Sequence, residues 1–441
     1  MSPLRGLPLL GPGLLSLTAW ISLACLSHTT LNVPLPWFFI SLTLAWIGLA
    51  WAVSQVRPNT SWADLLSWAF LFRLIGWSAQ PIYEDDYFRY LWDGFRFWQD
   101  GSPYGTAPAQ WFGDSSLPDR WQLILDQINY PSLSTIYGPA CQLLFALAAA
   151  CAPGNLPVLK LLLLLTETMA WFILYRCLRP HTRSVHSRES LPLAPRSLLL
   201  LSWCPLLIFE GSFQAHIDLA GFAALLAAWA LRHRAQPMAL GIALSLAVGV
   251  KLYALLFVPF LLWRQPPRSW IAFGVGGLCL YGFFWFRGGG NEWSSLKIMS
   301  QTWEFNSWFF PLLELGFAEQ ARLMALLIAL IGGASLGLAF IHNRLTLPAA
   351  IQLTWGLFLL VSPVINPWYL LWFLPWAAFL PTPPVWTAMV VVALGYITGL
   401  NLGDPTHGLF SHPWPVRLLQ PTLVTAATLL WLSTPHRKPQ K

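Results

Sequence analysis

The stretch Y-E-D-D-Y-F-R-Y-L-W-D-G at 83–94 places Glu84, Asp85, Asp86 and Asp93 within ten positions, interleaved with aromatic rings. The residues before it hold only three Lys or Arg and one acid, so the cluster breaks a long apolar tract. Acids this close can do three kinds of work. A carboxylate can take a proton from a hydroxyl, a like-charged neighbour can raise its pKa, and an acid can bind a divalent cation such as Mg or Mn. Further polar residues stand out in apolar surroundings. They are Asn129 and Tyr137 in I-N-Y-P-S-L-S-T-I-Y-G-P, and Glu210, Gln214, His216 and Asp218 in F-E-G-S-F-Q-A-H-I-D. Lys251 in V-G-V-K-L-Y, Asn306 in W-E-F-N-S-W-F-F, and Asn366 with Tyr369 in S-P-V-I-N-P-W-Y complete the set. Any one of them also reads as an ordinary polar loop end. Gathered at one membrane level they read as a site, because ionisable groups at membrane depth are costly.

The elements that must position these groups are membrane helices. Of 441 residues 56% are hydrophobic and only 10% charged, with a mean hydropathy of +0.56. A soluble domain carries roughly 25% charged residues. Many apolar segments have the length that crosses a ~30 Å hydrocarbon core as a helix. The expected fold is therefore an all-α polytopic membrane protein with about twelve transmembrane helices. It is expected to form one domain over 1–435, followed by a basic cytoplasmic tail at 436–441. The 27 Trp suit the bilayer interface, and the 36 Pro mark broken or kinked helices. The net charge of +7 comes from basic residues in short loops, which act as topology determinants and not as a nucleic-acid surface. The six Cys show no metal or redox spacing and read as buried thiols. The S-L-A-C run ending at Cys25 has Ser22 where a lipoprotein signal needs an aliphatic residue, so the first segment reads as a retained helix.

Apolar runs at about 8–27, 36–56 and 63–79, flanked by Arg5 and Arg57, put the acidic cluster outside the membrane. Counting back from the tail puts the Arg-rich loop 176–196 inside and His216 and Asp218 outside. The two counts differ by one crossing between 136 and 176, and the segment 136–152, opening on Gly138-Pro139, is the one expected not to span. The long polar stretch 80–135 is the first large external loop. Its part from 84 to 99 has helical periodicity and reads as an amphipathic helix in the interface. Adjacent residues on such a helix point about 100° apart, so only one of Asp85 and Asp86 faces an acceptor. Asp93 is on the same face as Asp86 two turns on, as an acceptor contact or as a solvated partner of Arg89 or Arg96. Lys251 separates two short helical halves, 237–250 and 252–263, whose other ends are inside. Its ammonium either holds a lipid phosphate or snorkels to headgroups.

D-D-Y-F-R-Y-L-W-D-G with a downstream G-S-P-Y, then I-N-Y-P-S-L-S-T-I-Y-G-P, resembles the first external loop of bacterial GT-C glycosyltransferases. G-S-F-Q-A-H-I-D, V-K-L-Y and N-P-W-Y-L-L-W are similar to later signatures of that group, in matching order over about 80–375. Gly138 stands where a second proline is usual and Asn366 where a histidine is common. The resemblance implies a GT-C-like bundle that moves a sugar, mannose above others, from a polyprenyl-phosphate carrier to a glycan, lipid or protein acceptor. It also implies a bacterial inner membrane and an outward-facing site. Asp86, in the acid-x-x-basic spacing with Arg89, is then the base, and Asp85 its tuner or a metal ligand. Lys251, Arg89 and His216 would hold the donor phosphate. Asp93, Tyr137, Asp218, Asn306, Asn366 and Tyr369 would contact acceptor or sugar.

The chemistry fits independently. A lipid-phosphate sugar already carries a good leaving group, so one base and one or two cations suffice, with inversion. A paired-carboxylate hydrolase would need a second acid for its leaving oxygen. The rival function is a transporter or lipid flippase, which also needs broken helices but places polar groups midway across the membrane and often shows internal repeats.

Overall fold

The computed structural model describes residues 8–30, 32–178, 194–287, 290 and 292–434. Arg5, most of the Arg-rich loop 176–196 and the basic tail 436–441, all used above for topology, lie outside the described residues. The described chain is helical. A single bridge, Phe305 with Val364, is its closest approach to a sheet. It clusters into two compact units, 1–302 and 303–441.

The first unit opens with α1 Leu10–Thr29, α2 Leu35–Gln55 and α3 Trp62–Ser78, followed by α4 Asp86–Asp100, α5 Asp119–Leu125, α6 Pro139–Cys151 and α7 Leu156–Leu178. A broken segment comes next: α8 Pro195–Ser202, α9 Pro205–Leu207 and a π-helical turn Ile208–Phe213. Then come α10 Asp218–His233, α11 Pro237–Val250, α12 Val258–Leu262, α13 Pro267–Phe286 and α14 Trp293–Thr302. The second unit holds α15 Phe310–Phe317, α16 Ala321–Ile341, α17 Leu347–Val361, α18 Leu374–Phe379, α19 Pro383–Val391, α20 Gly399–Leu402 and α21 Trp414–Ser433.

Six segments among the described residues are long and apolar enough to cross a bilayer: α1, α2, α7, Pro195–Phe213, α13 and Phe310–Ile341. Their side chains face outward where no protein covers them, as with Leu278 on α13 (76% exposed) and Leu315 on α15 (86%). Apolar surface on this scale needs lipid around it, and the chain is a membrane protein. Four further apolar helices are shorter, among them α6 with 13 residues. At 1.5 Å per residue α6 rises about 20 Å, less than the ~30 Å hydrocarbon core.

Two buried cations tie the first unit together. Arg73 on α3 donates to Glu167 on α7 at 2.6 Å and to the Ser202 carbonyl on α8 at 2.8 Å, which draws three helices onto one guanidinium. Lys160 on α7 donates to the carbonyls of Gly76 and Ala79, both at 2.7 Å, which caps the end of α3 just ahead of the acidic stretch. Arg73→Met would leave Glu167 as an uncompensated buried charge. Removing one partner of such a pair destabilises by about 3–5 kcal/mol, whereas replacing both by apolar groups is often neutral. Thermal unfolding in detergent should therefore show a large loss for Arg73→Met and recovery in the Arg73→Met/Glu167→Leu double variant.

Candidate active site

Helix α4 begins at the acids themselves. Asp85 stands at its N-cap, Asp86 is its first residue, and Gly101, at φ +81°, ends it in the left-handed conformation that glycine tolerates. Eight of its residues are buried, from Arg89 to Phe97, because it packs on α6 and α5. Gly94 permits the closest contact: a Cβ there would meet the Phe145 carbonyl of α6 at 2.4 Å.

The loop ahead of α4 is held by side chains. Gln214, just after the π-helical turn, accepts from the Ile82 N–H at 2.6 Å and donates back to the Ile82 carbonyl, as a neighbouring strand would. The Tyr83 hydroxyl donates to the Val33 carbonyl at 2.5 Å. Tyr83 at φ +68° and Ala215 at φ +62° occupy left-handed backbone that costs a side-chain-bearing residue energy. That strain falls one residue before Glu84 and one before His216, where such conformations aim functional groups. His216 Nδ1 lies 2.8 Å from Glu210 Oε2, and both side chains are buried. Interruptions of the π type recur at functional sites.

Asp86 is enclosed by aromatic groups. The Tyr90 hydroxyl reaches its carboxylate at 3.5 Å, and the Tyr137 hydroxyl is close enough to act on its charge. Tyr90 meets Tyr137 edge-on at 4.9 Å and stacks on Phe145 at 4.7 Å, so both hydroxyls are fixed by their rings. Burial raises the Asp86 pKa, while the Lys251 ammonium and the Tyr137 hydroxyl act to lower it. Asp85 accepts from Asn129 Nδ2 and is pushed up to about 7, first by burial and then by the Asp86 charge. The two neighbouring carboxylates disfavour each other's charge, as expected for adjacent acids. Glu84 is raised well above the usual range by burial, then by Asp86 and Glu210.

Lys251 arrives from the other side of the unit. α11 stops at Val250 and a 3-10 turn, Leu252–Leu256, leads to α12, so Lys251 sits at a break between two half-helices. Arg232, at the end of α10, donates to the carbonyls of Leu261 and Trp263 at 2.8 and 3.0 Å, which ties the far end of α12 beside the start of α11. The Lys251 ammonium is 2.6 Å from Asp218, whose second oxygen accepts from the Tyr253 hydroxyl at 2.6 Å. Gly138 explains how this turn reaches Asp86. A Cβ on Gly138 would meet the Gly249 carbonyl at 2.3 Å, so the start of α6 rests directly on the end of α11. Cys141 donates to the Val250 carbonyl at 3.3 Å in the same contact. The departure from the family proline thus falls where no side chain fits.

Of the residues singled out in the sequence, Asp85, Tyr137, Asp218 and Lys251 lie within electrostatic reach of Asp86. Arg89 and Asp93 are turned inward and bond to each other at 2.9 Å. Asn306, Asn366 and Tyr369 belong to the second unit. There Asn306 exchanges amide bonds with Gln420, donates to the Ile365 carbonyl at 3.1 Å, and Asn366 precedes the 3-10 turn Pro367–Phe373. Among the described residues no group of three His, Cys, Asp or Glu is placed to hold a metal ion. Tyr90, Gln142 and Gln214 were not assigned roles from the sequence. Gln142 sits within an apolar helix, which was the available signal.

The model of the MptA_B family, alpha-(1->6)-mannopyranosyltransferase, N-terminal domain, matches residues 14–266. The chain belongs to this family. The match covers more than half the chain and takes in the acids, Tyr137, Asp218 and Lys251. The chain is accordingly a glycosyltransferase. Comparison with curated proteins and with solved structures finds no match.

Gly138→Val should separate α6 from α11 and draw Lys251 away from Asp86. Transfer activity should fall on the order of 100-fold, the loss expected from about 1 Å of misplacement, while helix content by circular dichroism stays near wild type.

Proposed function

We propose that the protein transfers mannose from a polyprenyl-phosphate carrier to a hydroxyl acceptor at the outer membrane face, with Asp86 as the base. The observation that carries this reading is the buried Asp86 carboxylate, reached by the Tyr90 hydroxyl and held in the field of the Lys251 ammonium, with the Tyr137 hydroxyl acting beside it. A base and a cation at one site suit a substrate whose leaving group is already a phosphate.

In this reading Asp86 accepts the proton of the acceptor hydroxyl as its oxygen attacks the anomeric carbon. The bond from that carbon to the phosphate oxygen breaks, and its electron pair leaves with the polyprenyl phosphate. Lys251, held by Asp218, neutralises the departing charge. A single displacement inverts the anomeric carbon, so the α linkage in the family's name requires a β-linked donor. His216 braces the turn carrying Asp218 through Glu210. The acceptor is a glycan, lipid or protein presenting a primary hydroxyl. Asn306, Asn366 and Tyr369 are proposed sugar contacts. The loop charges around the first three helices support an outward-facing site, and the family resemblance implies a bacterial inner membrane and a cell-envelope setting.

The pH dependence has a definite sign. A base must be ionised, so activity is lost as pH falls through the Asp86 pKa. The Lys251 charge holds that pKa down, so Lys251→Met moves the acid limb of kcat to higher pH and weakens donor binding. Asp86→Asn should lower transfer by about 10²–10⁴-fold without loss of fold, measured with labelled polyprenyl-phosphate mannose. Full activity in Asp86→Asn, or lipid movement with no transfer, would contradict the proposal.

A further inference from the structure

The segment 133–138 that carries Tyr137 has no helix or strand of its own, so side chains alone decide where Tyr137 stands. Both guanidinium NH2 groups of Arg89 donate to the Leu133 carbonyl at 3.1 and 3.2 Å. Gln142 Nε2 donates to Thr135 Oγ1 at 3.0 Å and faces the Tyr137 carbonyl at 3.4 Å, where the Tyr104 hydroxyl also donates at 2.8 Å. Thr135 in turn accepts from the Tyr137 N–H at 3.3 Å. Arg89 and Gln142 are aimed by one carboxylate. Asp93 Oδ1 accepts from Arg89 Nε at 2.9 Å and Oδ2 from Gln142 Nε2 at 2.9 Å. Asp93 is 1% exposed and Gln142 0%, so neither is open to a sugar.

We propose that Asp93 is a positioning residue which, through Arg89 and Gln142, sets the Tyr137 hydroxyl on the Asp86 carboxylate. It is not an acceptor contact, and Arg89 is not a phosphate ligand. The Arg89 and Asp93 charges are buried and committed to each other and to one loop, and in a low-dielectric interior such bonds hold the loop in place. The acid-x-x-basic spacing then has a second use. Asp86 and Arg89 begin the same helix, and Arg89 reaches the loop that returns a hydroxyl to Asp86. The inference rests on the reading of Asp86 as the base.

The groups that face Asp86 are Glu84, Asp85 and Tyr90 from its own segment, Tyr137 from the loop, and Asp218 and Lys251 from the α10 and α11 ends. The Tyr137 bond lowers the Asp86 pKa, so losing it raises that pKa and moves the acid limb to higher pH. The test compares Asp93→Asn, Gln142→Ala and Tyr137→Phe in full-length protein, with kcat followed against pH and KM measured for a mannoside acceptor. Asp93→Asn and Gln142→Ala should each move the acid limb in the direction and by the amount of Tyr137→Phe. Their kcat at neutral pH should drop on the order of 100-fold with acceptor KM unchanged. A raised acceptor KM with the acid limb unmoved would overturn the proposal. If Asp93→Asn does not fold, Gln142→Ala, which keeps the Arg89–Asp93 pair, decides alone by the same two readouts. An active Asp86→Asn would instead refute the base assignment itself, so the two failures are distinct.

Discussion

A carboxylate withdrawn from water holds its proton more tightly, yet the proposed base Asp86 must be ionised to act, and its surroundings bear on that conflict. Burial alone would leave the group neutral. Two tyrosine hydroxyls and a lysine ammonium offset the burial, and each is supplied by a different part of the chain. Tyr90 comes from the same helix, Tyr137 from an irregular loop, and Lys251 from the break between α11 and α12. Holding three such elements against one carboxylate requires close backbone approach. Gly138 on Gly249 and Gly94 on Phe145 provide it, since a methyl group at either glycine would overlap a carbonyl oxygen.

The rest of the unit keeps those contacts in register within a membrane, where the hydrophobic effect gives helices little reason to associate. Packing of small residues and interhelical polar bonds replace it. Arg73 and Glu167 join α3 to α7 and α8, and Lys160 closes the end of α3 immediately before the loop that leads to the acids. Gln214 then fixes that loop by a two-way bond to Ile82. Each of these devices is a buried polar side chain satisfied by backbone or by a partner, as a low-dielectric interior demands.

Much of this was legible in the sequence, for physical reasons that can be named. Apolar runs and sparse charge gave the membrane helices, because bilayer thickness fixes their length. The isolation of Glu84 to Asp93 after three such runs marked the acidic start of α4. Lys251 between two short halves marked the broken hairpin, and Arg232 does close its far end. What periodicity could not give was the facing of side chains across helices. Asp93, seven positions after Asp86, looked like a companion on the same face, but α6 covers that face and encloses it. The roles of Gln142 and Gln214 depend on contacts 49 and 132 residues away along the chain.

The central claim is a single displacement assisted by one carboxylate. Its most direct test is the anomeric configuration of the product formed by purified protein from a β-linked polyprenyl-phosphate mannose, read by the one-bond carbon–proton coupling in NMR. An α-mannoside is expected as the sole product. A β-mannoside would mean two displacements and a covalent intermediate, and would contradict it.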